Sequence, residues 1–555
     1  MSYFWNKPGL AFAAVLSVGT FGAQANETQT PQTVASATAG SNGAAAAPLD
    51  SSALALSAAI KADPSLDPAV YHFYAARGFR AFWSEGEGRV AALSEVVSSA
   101  PAHGLPLNHY HLVSVSDLNS PEIAAVQEIQ RTKAYLAFAG DVAAGVLQPR
   151  VLDREIHLFP ERPHVGLLLN ELKLTGDPRR VVRALQPSHP HYARVQQLVQ
   201  TLNGIIDAGD WGPAVDDGGS LKIGMVGPRV SALRARLIAM GDMAASAEGE
   251  PTNTYDLALE LGVMAFQRRH GLNDDGVAGR RTIAAVNVSA AKRRDQALAT
   301  LERLRWTNKD LGDRHIFVNL ADFRVNVVDN GTVLFDERVV VGKTRKHRTP
   351  EFSDMMTYLV LNPTWNVPRS IATKEILPEL QANPNYLAEK NMELIGVNGA
   401  IPPEPLLADW SLYDQSSFPF RIKQNPGAGN ALGRVKFMFP NQFSIYLHDT
   451  PSKRLFAKDA RAFSHGCVRV QDPMQLARVL LAPKYDDPAG VIERILAKGD
   501  EAYMHLAEPM PVHLTYRTAW VDDGGTMQFR ADVYGRDALI RSALGELGVT
   551  GRQES

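Results

Sequence analysis

Hydrophobic positions along the chain change their spacing several times, and each change predicts a different kind of element. A mainly apolar run from Leu10 to Phe21 follows a start whose only charge is Lys7, and Ala23-Gln24-Ala25 comes next. That layout predicts a secretory signal over 1–25, cut after Ala25. The run falls short of the ~20 residues of a comfortable membrane span, although a signal left uncut as an inner-membrane tether stays open. Residues 26–50 are rich in Ala, Thr, Ser, Gly and Pro with almost no large apolar side chains, the composition of a flexible linker. From 51 to 210 apolar residues recur near every 3.6 positions, as in 122–147 and 192–206, and predict a helical domain. Tyr71 to Tyr74 and Phe82-Trp83 read as contacts between its helices.

Residues 221–290 form a smaller helical unit. Val230, Leu233 and Leu237 lie on one helix face, and Leu257, Leu261 and Ala265-Phe266 are expected to form a second. An acidic turn, Asn273 to Val277, leads to a last helix with Thr282 as its expected cap. After about 315 the period falls to two. Runs at 315–320, 324–328 and 333–341 read as strands, with Asp329-Asn330-Gly331 as a hairpin turn. Strands are also expected at 357–361 and 442–448. This β region runs to about 490, a Pro-rich insertion interrupts it over about 380–435, and 491–555 reads as a C-terminal extension returning to strand alternation at 510–535.

Length and charge narrow the class. At about 100–200 residues per domain, 555 residues predict roughly three or four domains. A formal net charge of −2 gives no ground for a nucleic-acid partner. Cutting after Ala25 removes Lys7 alone and leaves −3. The chain has one cysteine, Cys467. An intramolecular disulfide is therefore impossible, and a lone thiol in an oxidising compartment is a liability unless used or buried. No cysteine near Ala25 is available for a lipid anchor.

Candidate chemistry gathers around that thiol. Tyr446-Leu447-His448-Asp449-Thr450 is followed by Phe463-Ser464-His465-Gly466-Cys467-Val468-Arg469-Val470. The thiolate is the attacking species, so a catalytic Cys needs a neighbour that takes its proton, usually His. His448 and His465 are on offer, and Gly466 lets backbone amides approach a developing oxyanion. The composition fits acyl transfer through a thioester. Zinc held by Cys467, His465 and His448 is the alternative, with no fourth ligand at a recognisable spacing. Ser289 to Lys292 has a serine–lysine spacing, but Ser-Asp-Asn and Lys-Thr-Gly are both missing from the sequence, so a helix is the simpler reading. Gly342-Lys343-Thr344 lacks the upstream glycine of a phosphate loop, having Glu337 there.

His448-Asp449 with Ser464 to Val470 resembles the signature of the L,D-transpeptidase (YkuD-type) family. The resemblance extends to Gly342 through Pro350, to Asn362 through Ile371, and to Asn425 through Phe437, the last resembling members with an insertion lid. Phe266-Gln267, His270-Gly271-Leu272, Asp275-Gly276-Val277, Gly279 and Thr282 resemble the three-helix peptidoglycan-binding domain. The resemblance implies a multidomain α+β protein: a helical N-terminal scaffold, a small peptidoglycan-binding domain, and a mainly β catalytic domain with an inserted lid. It implies Cys467 as nucleophile, His448 as general base and acid, the backbone amides around Gly466 and Cys467 as oxyanion hole, and His465 in support. Arg469, Ser464, Asp449, Arg421 and Gln424 are the candidates to meet substrate, and the third member of the triad is open.

The implied reaction cleaves the bond between diaminopimelate and terminal D-alanine in a tetrapeptide stem, then passes the acyl group to the side-chain amine of a second stem. Donor and acceptor stems of peptidoglycan are thus the partners, no metal or organic cofactor is called for, and the periplasm of a Gram-negative bacterium is the expected location. Water as acceptor would make an L,D-carboxypeptidase or endopeptidase, and a lipoprotein amine an anchoring enzyme. A non-catalytic wall-binding scaffold is the alternative of another class.

Overall fold

The computed structural model describes residues 49–112, 120–245, 253–397 and 401–549. The signal reading and nearly all of the linker fall outside these residues. The helical region opens at Ser51–Ala62, whose first turn is capped by the Asp50 carboxylate. It continues through the long helix Pro121–Ala144 to His191–Asp207, and encloses its own core with Trp83, Tyr135 and Phe138 fully buried.

Three helices, Pro228–Ala239, Leu257–Arg269 and Arg280–Val286, build the small unit. Two expectations fail there. Leu257 and Leu261 are 60% and 55% exposed, while Leu259, Val263 and Phe266 carry the buried face. That helix is apolar almost all round, so its period alone did not say which side packs. Thr282 is not the cap: Gly279 holds that place without a side-chain bond, and the buried Thr282 hydroxyl accepts from Gln267 Nε2 at 3.2 Å. Ser289, with the serine–lysine spacing, caps the next helix, Ala290–Trp306, by accepting from the Lys292 amide.

That central helix runs into the β domain. Strands β1 (Arg314–Asn319), β2 (Arg324–Asp329), β3 (Thr332–Gly342) and β4 (Phe352–Leu361) follow in order. Asn330 (φ 47°) and Gly331 (φ 79°) make the β2–β3 turn, where the left-handed backbone suits Asn-Gly. After β4 the chain leaves the sheet to form the insertion, with β5 (Trp365–Asn366), β6 (Met392–Ile395) and β7 (Arg421–Gln424) in a sheet of their own. Trp410, Phe418 and Leu380 give it a separate core. The insertion therefore starts earlier than the expected 380. It also ends before 435, since β8 (Val435–Met438) pairs with β4.

The remaining strands are β9 (Leu447–His448), β10 (Ala462–Ser464), β11 (Val468–Val470) and β12 (Ala502–Thr515). The order in the sheet is β10-β3-β11-β9-β8-β4-β12-β1-β2, and β3 also pairs with β2, so the sheet closes on itself. The expected extension from 491 is corrected here. β12 lies between β4 and β1, antiparallel to one and parallel to the other, at the centre of the catalytic sheet. A short hairpin, β13 (Ala519–Val521) with β14 (Met527–Phe529), and the helix Arg536–Glu546 close the chain.

Buried charges tie the parts together. Arg536 is fully buried and bonds Glu351 Oε1 at 3.1 Å, with Asp153 and Glu155 of the helical region each 3.5 Å away. Arg348 pairs with the same two carboxylates at 2.9 and 2.8 Å. Within the central helix, Glu302 and Arg305, both fully buried, pair at 2.5 Å, and Arg305 also donates to the His103 carbonyl. Removing one partner from such a set leaves an uncompensated buried charge. Among the described residues no helix is long and apolar enough to cross a membrane.

Candidate active site

The register of two short parallel strands positions the thiol. Val468 pairs with Leu447 and Arg469 with His448. Leu447, Val468 and Val470 are fully buried in the sheet's core. Alternation therefore sends Tyr446, His448, Cys467 and Arg469 to the opposite face. Cys467 and His448 are diagonal neighbours there, one strand and two residues apart.

Cys467 is half-buried and free. Its Sγ hydrogen-bonds the Ser444 carbonyl at 3.6 Å. Burial pushes the thiol up to about 11, and hydrogen bonds from Tyr446 and the charge of Arg469 pull the other way. His448 is buried and is held down at about 3 by burial and by Arg469, against the pull of the Asp449 and Leu432 carbonyls. Its Nδ1 lies 2.5 Å from the Asp449 carbonyl. A carbonyl only accepts, so Nδ1 carries the hydrogen and Nε2 is the basic nitrogen. The resting pair is thiol and neutral imidazole, not an ion pair.

The Asp449 backbone, not its carboxylate, orients His448. The carboxylate accepts from the Arg434 and Thr450 amides at 2.9 and 2.7 Å and from Lys453 Nζ at 2.7 Å, so it holds the turn and does not face substrate as expected. Ser464 is likewise structural: its buried hydroxyl donates to the Cys467 carbonyl at 2.5 Å and accepts from the Gly466 amide at 3.1 Å. That bond occupies the Gly466 N–H, so the expected oxyanion donor at Gly466 is already engaged. Gly466 has φ +119° and its carbonyl accepts from Thr349 Oγ1 at 2.7 Å. A Cβ there would come within 3.0 Å of Ile445 Cδ1. Gly466 is thus required by backbone shape.

His465 turns away from the thiol. Its Nε2 meets Glu375 of the insertion at 2.6 Å and its ring lies 4.6 Å from that of His347. Arg469 is largely buried, its Nε has no hydrogen-bond partner, and burial lowers its pKa. It remains the expected substrate contact that the structure brings to the thiol. Gln424 does not: it is buried in the insertion, bonded to the Lys390 and Gly429 carbonyls and the Ala431 amide. Arg421 is exposed at the far end of β7, opposite Ile395.

Residues missed in the sequence are Ser444, Tyr446 and Thr349. Tyr446 sits level with the thiol, with its ring 5.6 Å from that of His448. Its place two residues before His448 on a strand is the signal that finds it. Ser444 has φ +55°, a strained turn pinned by Asn441, and nothing in its sequence announces this. Among the described residues no three His, Cys, Asp or Glu side chains group as a metal set.

Fold and site define a β domain centred on one cysteine and carried on helical modules. Residues 313–501 match the family model described as "L,D-transpeptidase catalytic domain", 68–198 match "Scaffold domain", and 226–286 match "Putative peptidoglycan binding domain". A relative in Haemophilus influenzae, named "Putative L,D-transpeptidase", is 36% identical over 232 residues. The alignment covers 41% of this chain and 45% of that protein, so less than half of the relative's length is spanned. Similar solved structures include an L,D-transpeptidase from Xylanimonas cellulosilytica (14% identity, TM-score 0.18, 55% of this chain and all of that one). Another, from Stackebrandtia nassauensis, has 14% identity, a TM-score of 0.21, and coverage of 55% and 97%. Within this chain, residues 313–501 are thus similar to an L,D-transpeptidase catalytic domain and residues 226–286 to a putative peptidoglycan-binding domain.

Proposed function

We propose that this chain is a peptidoglycan L,D-transpeptidase that forms 3→3 cross-links through a thioester on Cys467. The observation that carries the reading is the sole cysteine, half-buried on one sheet face with His448 and Arg469, inside the matched domain. Cys467 Sγ attacks the carbonyl carbon between diaminopimelate and terminal D-alanine. Its proton passes to His448 Nε2 and then to the departing amine, so D-alanine leaves neutral and a thioester remains. The side-chain amine of a second stem attacks that thioester, its proton returns through His448 to sulfur, and the thiol is regenerated with a new amide.

With the thiol high and the imidazole low, proton transfer accompanies attack. The protonated ring formed on the way is supported by the Asp449 and Leu432 carbonyls. The Cys467 amide, which no described residue engages, is the oxyanion donor of this loop, and Arg469 is placed to meet a stem carboxylate. This chemistry calls for no metal or organic cofactor. The apolar run at 10–21, ahead of Ala23-Gln24-Ala25, supports export to the periplasm.

Incubation with tetrapeptide muropeptides tests the reading by product mass. Cross-linked dimers with loss of D-alanine are expected. Tripeptide monomers alone would make water the acceptor, and product formation unchanged by Cys467→Ala would overturn the mechanism.

A further inference from the structure

A cavity of about 580 Å³ lies where the peptidoglycan-binding unit, the central helix, the β domain and the C-terminal helix meet. Its volume falls within the ~300–1,000 Å³ of ligand pockets, which favour domain junctions. The walls are mainly apolar and built of small side chains, among them Ala284, Ala285, Ala460 and Ala538, with Phe323 and Phe529 as larger surfaces. Cations line it too. Arg293 is 6% exposed, and its guanidinium has only neutral partners: Gln296 Oε1 at 2.9 Å, the Ala285 carbonyl at 3.0 Å and the Phe529 ring at 4.8 Å. Lys292 and Arg541, also in the wall, make no ion pair among the described residues. Of the wall's four acids, Asp537 is paired with Arg303, Asp459 with Arg281 and Asp295 with Arg294, while Asp532 accepts only from the Tyr516 hydroxyl and the Ala538 amide.

A second cavity of about 550 Å³ shares Arg281, Asp459 and Ala460 with the first and extends to Ala462 and Phe463, the residues just before Ser464. Asp459 joins the units here, accepting from the Asn273 amide at 3.1 Å and pairing with Arg281 at 3.3 Å. The two spaces thus lie side by side against the Arg281–Asp459 pair, the second on the side of Ser464.

We propose that the junction cavity is a second binding site for an anionic peptide of small side chains, the chemistry of an unreacted stem on the polymer processed at Cys467. The proposal rests on the function given above. Alanine walls accept methyl-bearing residues; Lys292 and Arg293 have no carboxylate partner among the described residues, and Arg541 has only the charge of Asp295 near it, so the wall calls for carboxylates. The continuation toward Phe463 suits a ligand covalently continuous with the substrate. The site is composite, since the binding unit alone supplies neither Phe323, Phe529 nor Arg541.

The test uses the full chain with Cys467→Ala, and as probe a stem tripeptide ending in diaminopimelate, which lacks the bond to D-alanine. Titration calorimetry should show binding, and hydrogen exchange should show protection over 284–296 and 529–541. Lys292→Glu with Arg541→Glu should weaken binding at least tenfold. Ala538→Trp, which fills the cavity without changing charge, should do the same. In proteins that retain Cys467, both sets of changes should leave the mass adduct formed from a tetrapeptide intact. Absence of binding, protection confined to 444–469, or an affinity unaltered by either variant overturns the proposal. Absence of any tetrapeptide adduct on the unaltered chain instead overturns the function, whatever the junction binds.

Discussion

At Cys467 burial, not the presence of a histidine, sets the state of the thiol. Burial raises it to about 11 and holds His448 near 3. A preformed thiolate–imidazolium pair would need the opposite order. Alkylation of Cys467 by iodoacetamide follows the thiolate fraction. Its rate should therefore climb about tenfold per pH unit from 7 to 10, bending only as pH nears 11. A plateau already reached at pH 6–7 would show an ion pair and refute the neutral resting state. Cys467 and His448 were legible in the sequence, because Cys467 is the sole cysteine and the run ending at His448 reads as a strand, which the structure pairs with the strand that follows Cys467. The roles of Asp449 and Ser464 were not. Both are polar side chains beside a nucleophile, and only the loop's path shows that their oxygens are engaged by backbone and lysine.

The insertion shows the same limit at the level of elements. Its polar residues looked equally able to meet substrate, yet Gln424 and Arg421 lie three positions apart on β7 with opposite surroundings. Gln424→Ala removes the buried amide that bridges two part-buried carbonyls and the Ala431 N–H, which should destabilise the insertion by roughly 1–3 kcal/mol. Arg421→Ala removes an exposed side chain and should leave the melting temperature within experimental error. A raised KM in that variant, with stability unchanged, would restore Arg421 as a substrate contact. Equal destabilisation by the two changes would contradict the packing of β7. The β2–β3 hairpin was readable because Asn330-Gly331 fixes it locally. The place of β12 was not, since its partners in β1 lie almost 200 residues away and a register shift between His505 and Met510 interrupts its alternation. Nonlocal pairing leaves no mark on local spacing.

Across the whole molecule, histidines gather where the helical region meets the catalytic sheet. His189 and His191 stack at 4.8 Å, and His315 and His513 meet at 5.6 Å. Arg517 lies 3.4 Å from His189, and Arg194 is close by, paired with Asp523. Asp310 and Asp523 are the carboxylates that favour protonation here, and neither offsets burial. Burial and Arg517 bring His189 down to about 2 and His191 to about 4, and burial brings His513 to about 4. Each folded-state value lies below the 6.5 of the unfolded chain, so the unfolded chain binds more protons below pH 6.5. The stability these groups contribute is complete above 6.5 and is lost as pH falls from there toward 4, and toward 2 for His189. Urea midpoints should therefore drop between pH 7.5 and 5. His189→Gln with His191→Gln, which cannot take up a proton, should flatten that drop while preserving the midpoint at pH 7.5 more closely than at pH 5. A midpoint as steeply dependent on pH in the variant as in the parent would place the acid-sensitive contact elsewhere. The junction that holds the helical region against the sheet would then owe its stability to the buried set around Arg536, whose charged partners are all carboxylates.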